Sequence, residues 1–172
     1  CIRDSSMAAS IIRMASASGI PVIADSRFDL TRFRGITTAT PNEVEAAGAA
    51  GFDTGSEEDL EKTGRKLLKE LRSDSLLITR GRLGMALFRP RMKTLKAGVV
   101  GSPEATDVTG AGDTVVSAVA LTLAAGAGMR EAMLAANVAA SIVVMKRGTA
   151  VTSPEEILAR LDAILEGKGG GS

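Results

Sequence analysis

Asp107-Val108-Thr109-Gly110-Ala111-Gly112-Asp113 runs straight into an apolar stretch, Thr114-Val115-Val116-Ser117-Ala118-Val119-Ala120-Leu121. The glycines allow a sharp turn and a close approach of backbone to a ligand. The apolar stretch reads as a helix, and a helix N-terminus offers unpaired N–H groups and the positive end of a dipole to an anion. Asp113 puts a carboxylate beside that anion site. A carboxylate there can take a proton from a hydroxyl while the N–H groups stabilise charge on a moving phosphoryl group. Taken alone, Gly-Ala-Gly-Asp fits equally well an ordinary turn whose aspartate caps the helix.

Working outward, helical and strand patterns alternate. A helix is expected over residues 6–18, then a short strand Pro21-Val22-Ile23-Ala24 ending at Asp25, and a second strand over residues 36–39. Pro41 can begin a short helix. Ser56, followed by Glu57, Glu58 and Asp59, starts a longer helix with a Leu60, Leu67, Leu68, Leu71 stripe. Strands follow at residues 75–79, 85–88 and 94–100, with Gly81 and Gly84 bracketing a tight loop. Residues 130–145 form a helix apolar nearly all round, hence buried. Ser153 and Pro154 open the last helix as cap and first residue, and residues 167–172 read as a tail or linker. This order indicates an α/β fold with a mainly parallel sheet and helices on both faces, one domain over residues 1–166.

Composition removes whole classes of chemistry. The 172 residues contain no histidine, so His-type zinc sites, Ser-His triads and His general bases are excluded. The single cysteine, Cys1, allows no disulfide within the chain and fits a cytoplasmic setting. A net charge of +1 with interspersed signs argues against a nucleic-acid partner. No apolar run reaches the length of a membrane span.

Other residues have two readings each. Asn42 and Glu45, spaced i, i+3 after a strand, can point oxygens one way toward Mg²⁺, or can be a simple polar first turn. The loop Thr79-Arg80-Gly81-Arg82-Leu83-Gly84 lies at a strand end, where open α/β sheets bind ligands, or is a plain hairpin. Asn137 sits in an apolar helix and needs a partner, backbone or ligand. Asp25 and Arg27 can approach phosphate or form a surface ion pair.

The string Asp-Val-Thr-Gly-Ala-Gly-Asp-Thr resembles the C-terminal signature of the ribokinase-like (PfkB) sugar kinases. The succession Pro-Val-Ile-Ala-Asp, Arg-Gly, Thr-Pro-Asn-Glu, Thr-Arg-Gly and the signature looks most like the heptose 7-phosphate kinases, which supply the ADP-heptose precursor of lipopolysaccharide. The resemblance covers residues 7–166 but only the C-terminal half of the family's domain. It implies that Asp113 is the catalytic base and Gly110, Ala111 and Gly112 the anion hole. It implies that Asn42 and Glu45 act on Mg²⁺ and phosphate, with Glu43 off the family's position. It implies that Thr79, Gly81 and Gly84, with Arg80 less securely, run along ATP, and that Asn137 lies near the adenine. Asp107, Thr109, Val143, Lys146 and Gly148 match the region where many relatives hold a monovalent cation such as K⁺. The implied reaction is phosphoryl transfer from ATP to a sugar or sugar-phosphate hydroxyl. A nucleotide-binding but catalytically incomplete fragment, a kinase for another sugar or nucleoside, and a subunit retaining only the fold are the alternatives. A homo-oligomer or a missing N-terminal half would complete it.

Overall fold

Alternate residues of Leu76-Leu77-Ile78-Thr79 face opposite sides, and each side meets its own core. The computed structural model describes residues 5–100, 110–146 and 150–169. In chain order these are α1 (Ser5–Ala17), β1 (Ile23–Ala24), β2 (Thr38–Ala39), α2 (Glu43–Ala50), α3 (Glu57–Leu71), β3 (Leu76–Thr79), β4 (Met85–Phe88), β5 (Leu95–Ala97), α4 (Ala111–Ala124), α5 (Met129–Val143) and α6 (Pro154–Gly169). Leu76 and Ile78, with Ala86 and Phe88, pack on Leu60, Leu67 and Leu71 of α3 and on Ile12 of α1. Leu77, Met85 and Leu87 pack on Val115 and Val119 of α4 and on Met129, Met133 and Ala136 of α5. Helices therefore cover both faces of the sheet, as the alternation of patterns required.

β1 and β2 are parallel, with Ile23 opposite Thr38 and Ala24 opposite Ala39. β3, β4 and β5 form an antiparallel meander. The two groups are joined where Ser75 N–H donates to Thr37 O at 3.0 Å and Thr79 N–H to Pro41 O at 2.9 Å. Asn42 and Thr79 form a parallel bridge there. The parallel part is thus β1, β2 and β3, and β4 and β5 add an antiparallel margin, a common edge for such sheets.

Helix starts follow their capping residues. Ser56 Oγ accepts from Asp59 N–H at 3.0 Å, and Ser153 Oγ from Glu156 N–H at 3.3 Å. At α2 the cap is Asn42, so Pro41 lies outside the helix it was expected to begin. α6 continues to Gly169, into the segment read as a tail, while residues 170–172 lie outside the described residues. Most strands, β4 excepted, are shorter than their expected runs, because pairing sets their ends.

Two side chains fix the margin. A Cβ on Gly64 would stand 2.4 Å from the Phe88 ring, so α3 approaches β4 more closely than any other residue there would allow. Arg65 donates to Glu61 Oε1 at 2.8 Å and to the carbonyls of Arg89 at 2.9 Å and Met92 at 2.7 Å, pinning the β4–β5 turn to α3. On the other side, β1 has no described partner beyond β2, and α1 turns Met7, Ile11 and Met14 to solvent.

Candidate active site

The parallel strands deliver their C-terminal ends to one place. Asp25 directly follows β1, Asn42 and Glu45 follow β2, and Thr79 closes β3. The Asn42–Thr79 bridge sets the second and third of these side by side. Asp113 joins them electrostatically. The Asp25 carboxyl pKa stands above its ordinary 3.8, first through desolvation of the carboxylate although the residue as a whole is exposed, then through the negative charges of Glu45 and Asp113, with Arg27 opposing. Charges from α2 and α4 thus reach the carboxylate that follows β1. This is the crevice outside the strand ends where open α/β sheets bind ligands.

The α4 N-terminus leaves backbone donors free of helical partners. Its cap is Gly110, in the left-handed region at φ 80°, ψ −1°, and among the described residues no side chain caps the turn. The first intrahelical bond runs from Thr114 N–H to Gly110 O at 3.0 Å, so the N–H groups of Ala111, Gly112 and Asp113 have no acceptor within the helix. Asp113 is consequently in the first turn and is not the cap, which removes the plain-turn reading of this aspartate. Gly112 and Asp113 are exposed.

Asn42 and Glu45 form a reciprocal capping box. Asn42 Oδ1 accepts from Glu45 N–H at 2.9 Å, and Glu45 Oε2 accepts from Asn42 N–H at 3.0 Å. The polar-first-turn reading is therefore real, and it aims the pair outward with Glu45 Oε1 outside the box. Glu43, in the same turn, points elsewhere: it accepts from Arg80 Nε at 2.9 Å.

The Thr79–Gly84 loop divides by role. Gly84 is buried at φ 83°, and a Cβ there would lie 2.0 Å from Ala97 O, so β5 itself requires this glycine. Gly81, at φ 51°, has open space around its Cβ position. Arg80 is 8% exposed, its guanidinium turned into the protein toward Glu43 and Glu57. Burial works against its charge, but hydrogen bonds to Glu43 and Glu57 outweigh it and raise the guanidinium pKa. That network is what sequence reading missed, since Glu43 lies 37 residues away along the chain.

Asn137 is buried, and its amide donates to Gly98 O at 2.7 Å, a backbone partner just beyond β5. Val143 is buried and its carbonyl accepts from Lys146 N–H at 3.0 Å. Lys146 Nζ donates to Val151 O and Glu156, at 2.8 Å each. Asp107, Thr109 and Gly148 lie outside the described residues.

The family model described as pfkB family carbohydrate kinase matches residues 3–156. The chain belongs to this family. Among curated relatives, the "Bifunctional protein HldE" of Nitratiruptor sp. is 43% identical over 140 residues, 81% of this chain and 30% of that protein. The HldE of Shewanella amazonensis is 44% identical over 154 residues, 89% of this chain and 32% of that protein. The chain thus spans about a third of the curated relatives it matches. Among solved structures, Arabidopsis thaliana ribokinase complexed with ribose and ATP superposes with a TM-score of 0.81 at 25% identity, covering 92% of this chain and 53% of that one. Escherichia coli phosphofructokinase-2 in complex with potassium gives 0.80 at 19% identity, covering 94% and 53%, and shows the shared fold. The architecture is ribokinase-like. Among the described residues, no helix is long and apolar enough to cross a membrane.

Proposed function

We propose that this chain carries the ATP-binding and phosphoryl-transfer portion of a carbohydrate kinase, with heptose 7-phosphate as acceptor. One observation carries the reading: Asp113 occupies the first turn of a helix that no side chain among the described residues caps, within electrostatic reach of Asp25 at the end of β1. Asp113 accepts the proton of the acceptor hydroxyl. The hydroxyl oxygen bonds to the γ-phosphorus as the bond to the ADP oxygen breaks, and the N–H groups from Gly110 to Asp113 stabilise the phosphoryl oxygens. Asn42 and Glu45 would hold Mg²⁺ through hard oxygens, a donor set that suits a hydrated ion beside phosphates. Bound there, Mg²⁺ would neutralise phosphate charge.

Thr79 and Gly81 border the nucleotide. Gly84 and Asn137 contribute by shaping β5 and the segment after it. The family resemblance implies a monovalent cation near Val143 and Lys146, held by carbonyls, and a relative of the same fold, Escherichia coli phosphofructokinase-2, has been crystallised with potassium. The heptose acceptor is supported by the HldE relatives at 43–44% identity. The open edge of β1 and the apolar face of α1 support a further segment or a second copy completing the fold.

A second reading has its own support: the chain covers 53% of the ribokinase it superposes on, so a nucleotide-binding portion without acceptor contacts is the alternative. Calorimetric titration with Mg·ATP, followed by ADP release with heptose 7-phosphate, tests both. Binding with acceptor-dependent turnover supports the kinase, binding alone supports the portion, and no binding removes both.

A further inference from the structure

Arg80 closes a circuit between the two loops assigned to metal and nucleotide. Its Nε donates to Glu43 Oε1 at 2.9 Å, and its Nη1 donates to Glu57 Oε1 at 2.9 Å. Glu57, the first residue of α3, also pairs with Lys96 of β5. The Arg80 backbone N–H donates to Gly84 O at 2.8 Å and its carbonyl accepts from Leu83 N–H at 2.9 Å, closing the 80–84 loop. One residue earlier, Thr79 N–H donates to Pro41 O at 2.9 Å. Glu43 is the first residue of α2 and sits between Asn42 and Glu45 in the capping turn.

The consequence is a division of labour within one helical turn. Asn42 and Glu45 hold each other and face the crevice, while Glu43 is anchored inward by a planar guanidinium that grips two carboxylates at fixed angles. Two cations, Arg80 and Lys96, balance two anions, Glu43 and Glu57, so the circuit adds no net charge to the site. Its effect is geometric.

We propose that Arg80 is a positioning residue that sets the Asn42–Glu45 turn against the Thr79–Gly84 loop through Glu43. The assignment rests on the proposed binding of Mg·ATP at these loops. A lysine at position 80 keeps the charge but lacks the fork needed for both carboxylates.

The test is ATP binding by this chain, titrated over a range of Mg²⁺ concentrations, with circular dichroism confirming the fold of each variant. Arg80→Lys and the near-isosteric Glu43→Gln should each raise the Mg²⁺ needed for half-maximal binding by about tenfold or more, as loss of a residue supporting metal ligands does. The double variant should be no worse than either single one, because both break the same link. Adding Glu45→Gln to Arg80→Lys should compound the loss. Adenosine, which has no phosphates, should not distinguish Arg80→Lys from the parent chain. Wild-type Mg²⁺ dependence in both single variants, with Glu45→Gln impaired, would overturn the positioning role and leave the nucleotide reading standing. An Arg80→Lys loss independent of Mg²⁺ and not shared by Glu43→Gln would also overturn it, pointing to direct phosphate contact. No Mg·ATP binding by the parent chain would remove the nucleotide reading and this inference with it.

Discussion

Glu45 and Asn42 cap each other, each side-chain oxygen accepting the other's backbone N–H at 2.9–3.0 Å. The pair therefore serves α2 and the proposed metal at once, and two substitutions separate the duties. Glu45→Gln retains an acceptor for Asn42 N–H but loses the anion. It should leave thermal stability nearly unchanged and raise the Mg²⁺ requirement. Asn42→Ala removes the cap and should destabilise the fold by about 1 kcal/mol. Urea unfolding alongside Mg²⁺ titration checks both. Equal destabilisation by the two variants, with no change in Mg²⁺ dependence, would reduce Glu45 to a cap.

Asp113 has no capping duty, because Gly110 holds the cap position. Asp113→Asn should thus preserve the fold and Mg·ATP binding. In a polypeptide that also supplies the acceptor contacts, turnover should fall by about 10²–10⁴, the usual contribution of a general base. Turnover within a few fold of the parent would take the proton-accepting role away from Asp113.

Asp25 makes the carboxylate crevice visible as a pH effect. Its folded pKa lies above the ordinary 3.8, so the folded state holds this proton more tightly than the unfolded chain. The sign follows: stability linked to Asp25 is present below 3.8 and is lost as pH rises through the raised folded value. Asp25→Asn should melt higher than the parent at pH 7, with the gap closing in acid. Mg²⁺ should narrow the gap by offsetting the charges of Glu45 and Asp113. Circular dichroism melts from pH 3 to 7 decide it, and a lower melting temperature for Asp25→Asn at pH 7 would contradict the repulsion.

The two loop glycines should part company. Gly84→Ala drives a methyl into Ala97 O and holds alanine at φ 83°, so it should cost more than about 2 kcal/mol. Gly81→Ala meets open space at φ 51° and should cost only about 1–2 kcal/mol. Any loss of ATP affinity in Gly81→Ala beyond that of a surface control then reports on the nucleotide. Equal stability losses would show that the 80–84 loop adjusts freely.

Local chemistry was readable wherever one residue decides the outcome. Ser56 and Ser153 announce their helices, and residues 85–88 match β4 to the residue. The site was readable in its positions but not in its connections. The sequence offers Asp113 as a cap, and only the left-handed Gly110 moves that role one turn edge earlier. The resemblance offers Arg80, less securely than its neighbours, to the nucleotide. The two carboxylates that claim it come from α2 and α3, and only the packed sheet brings them within 2.9 Å. The backbone partner of Asn137 arrives in the same way, from Gly98 just beyond β5, 39 residues upstream.

If the first turn of α4 seats an anion as proposed, ligand and folding become linked. Three N–H groups there have no acceptor in the helix. An anion that seats on them binds the folded chain and not the unfolded one, so it shifts the folding equilibrium by RT ln(1 + [L]/Kd). At a hundred times its dissociation constant, the shift is about 2.7 kcal/mol, a sizeable share of a small domain's whole stability. A cell rich in nucleotide would then keep more of this protein intact, and one starved of it would surrender more to proteases.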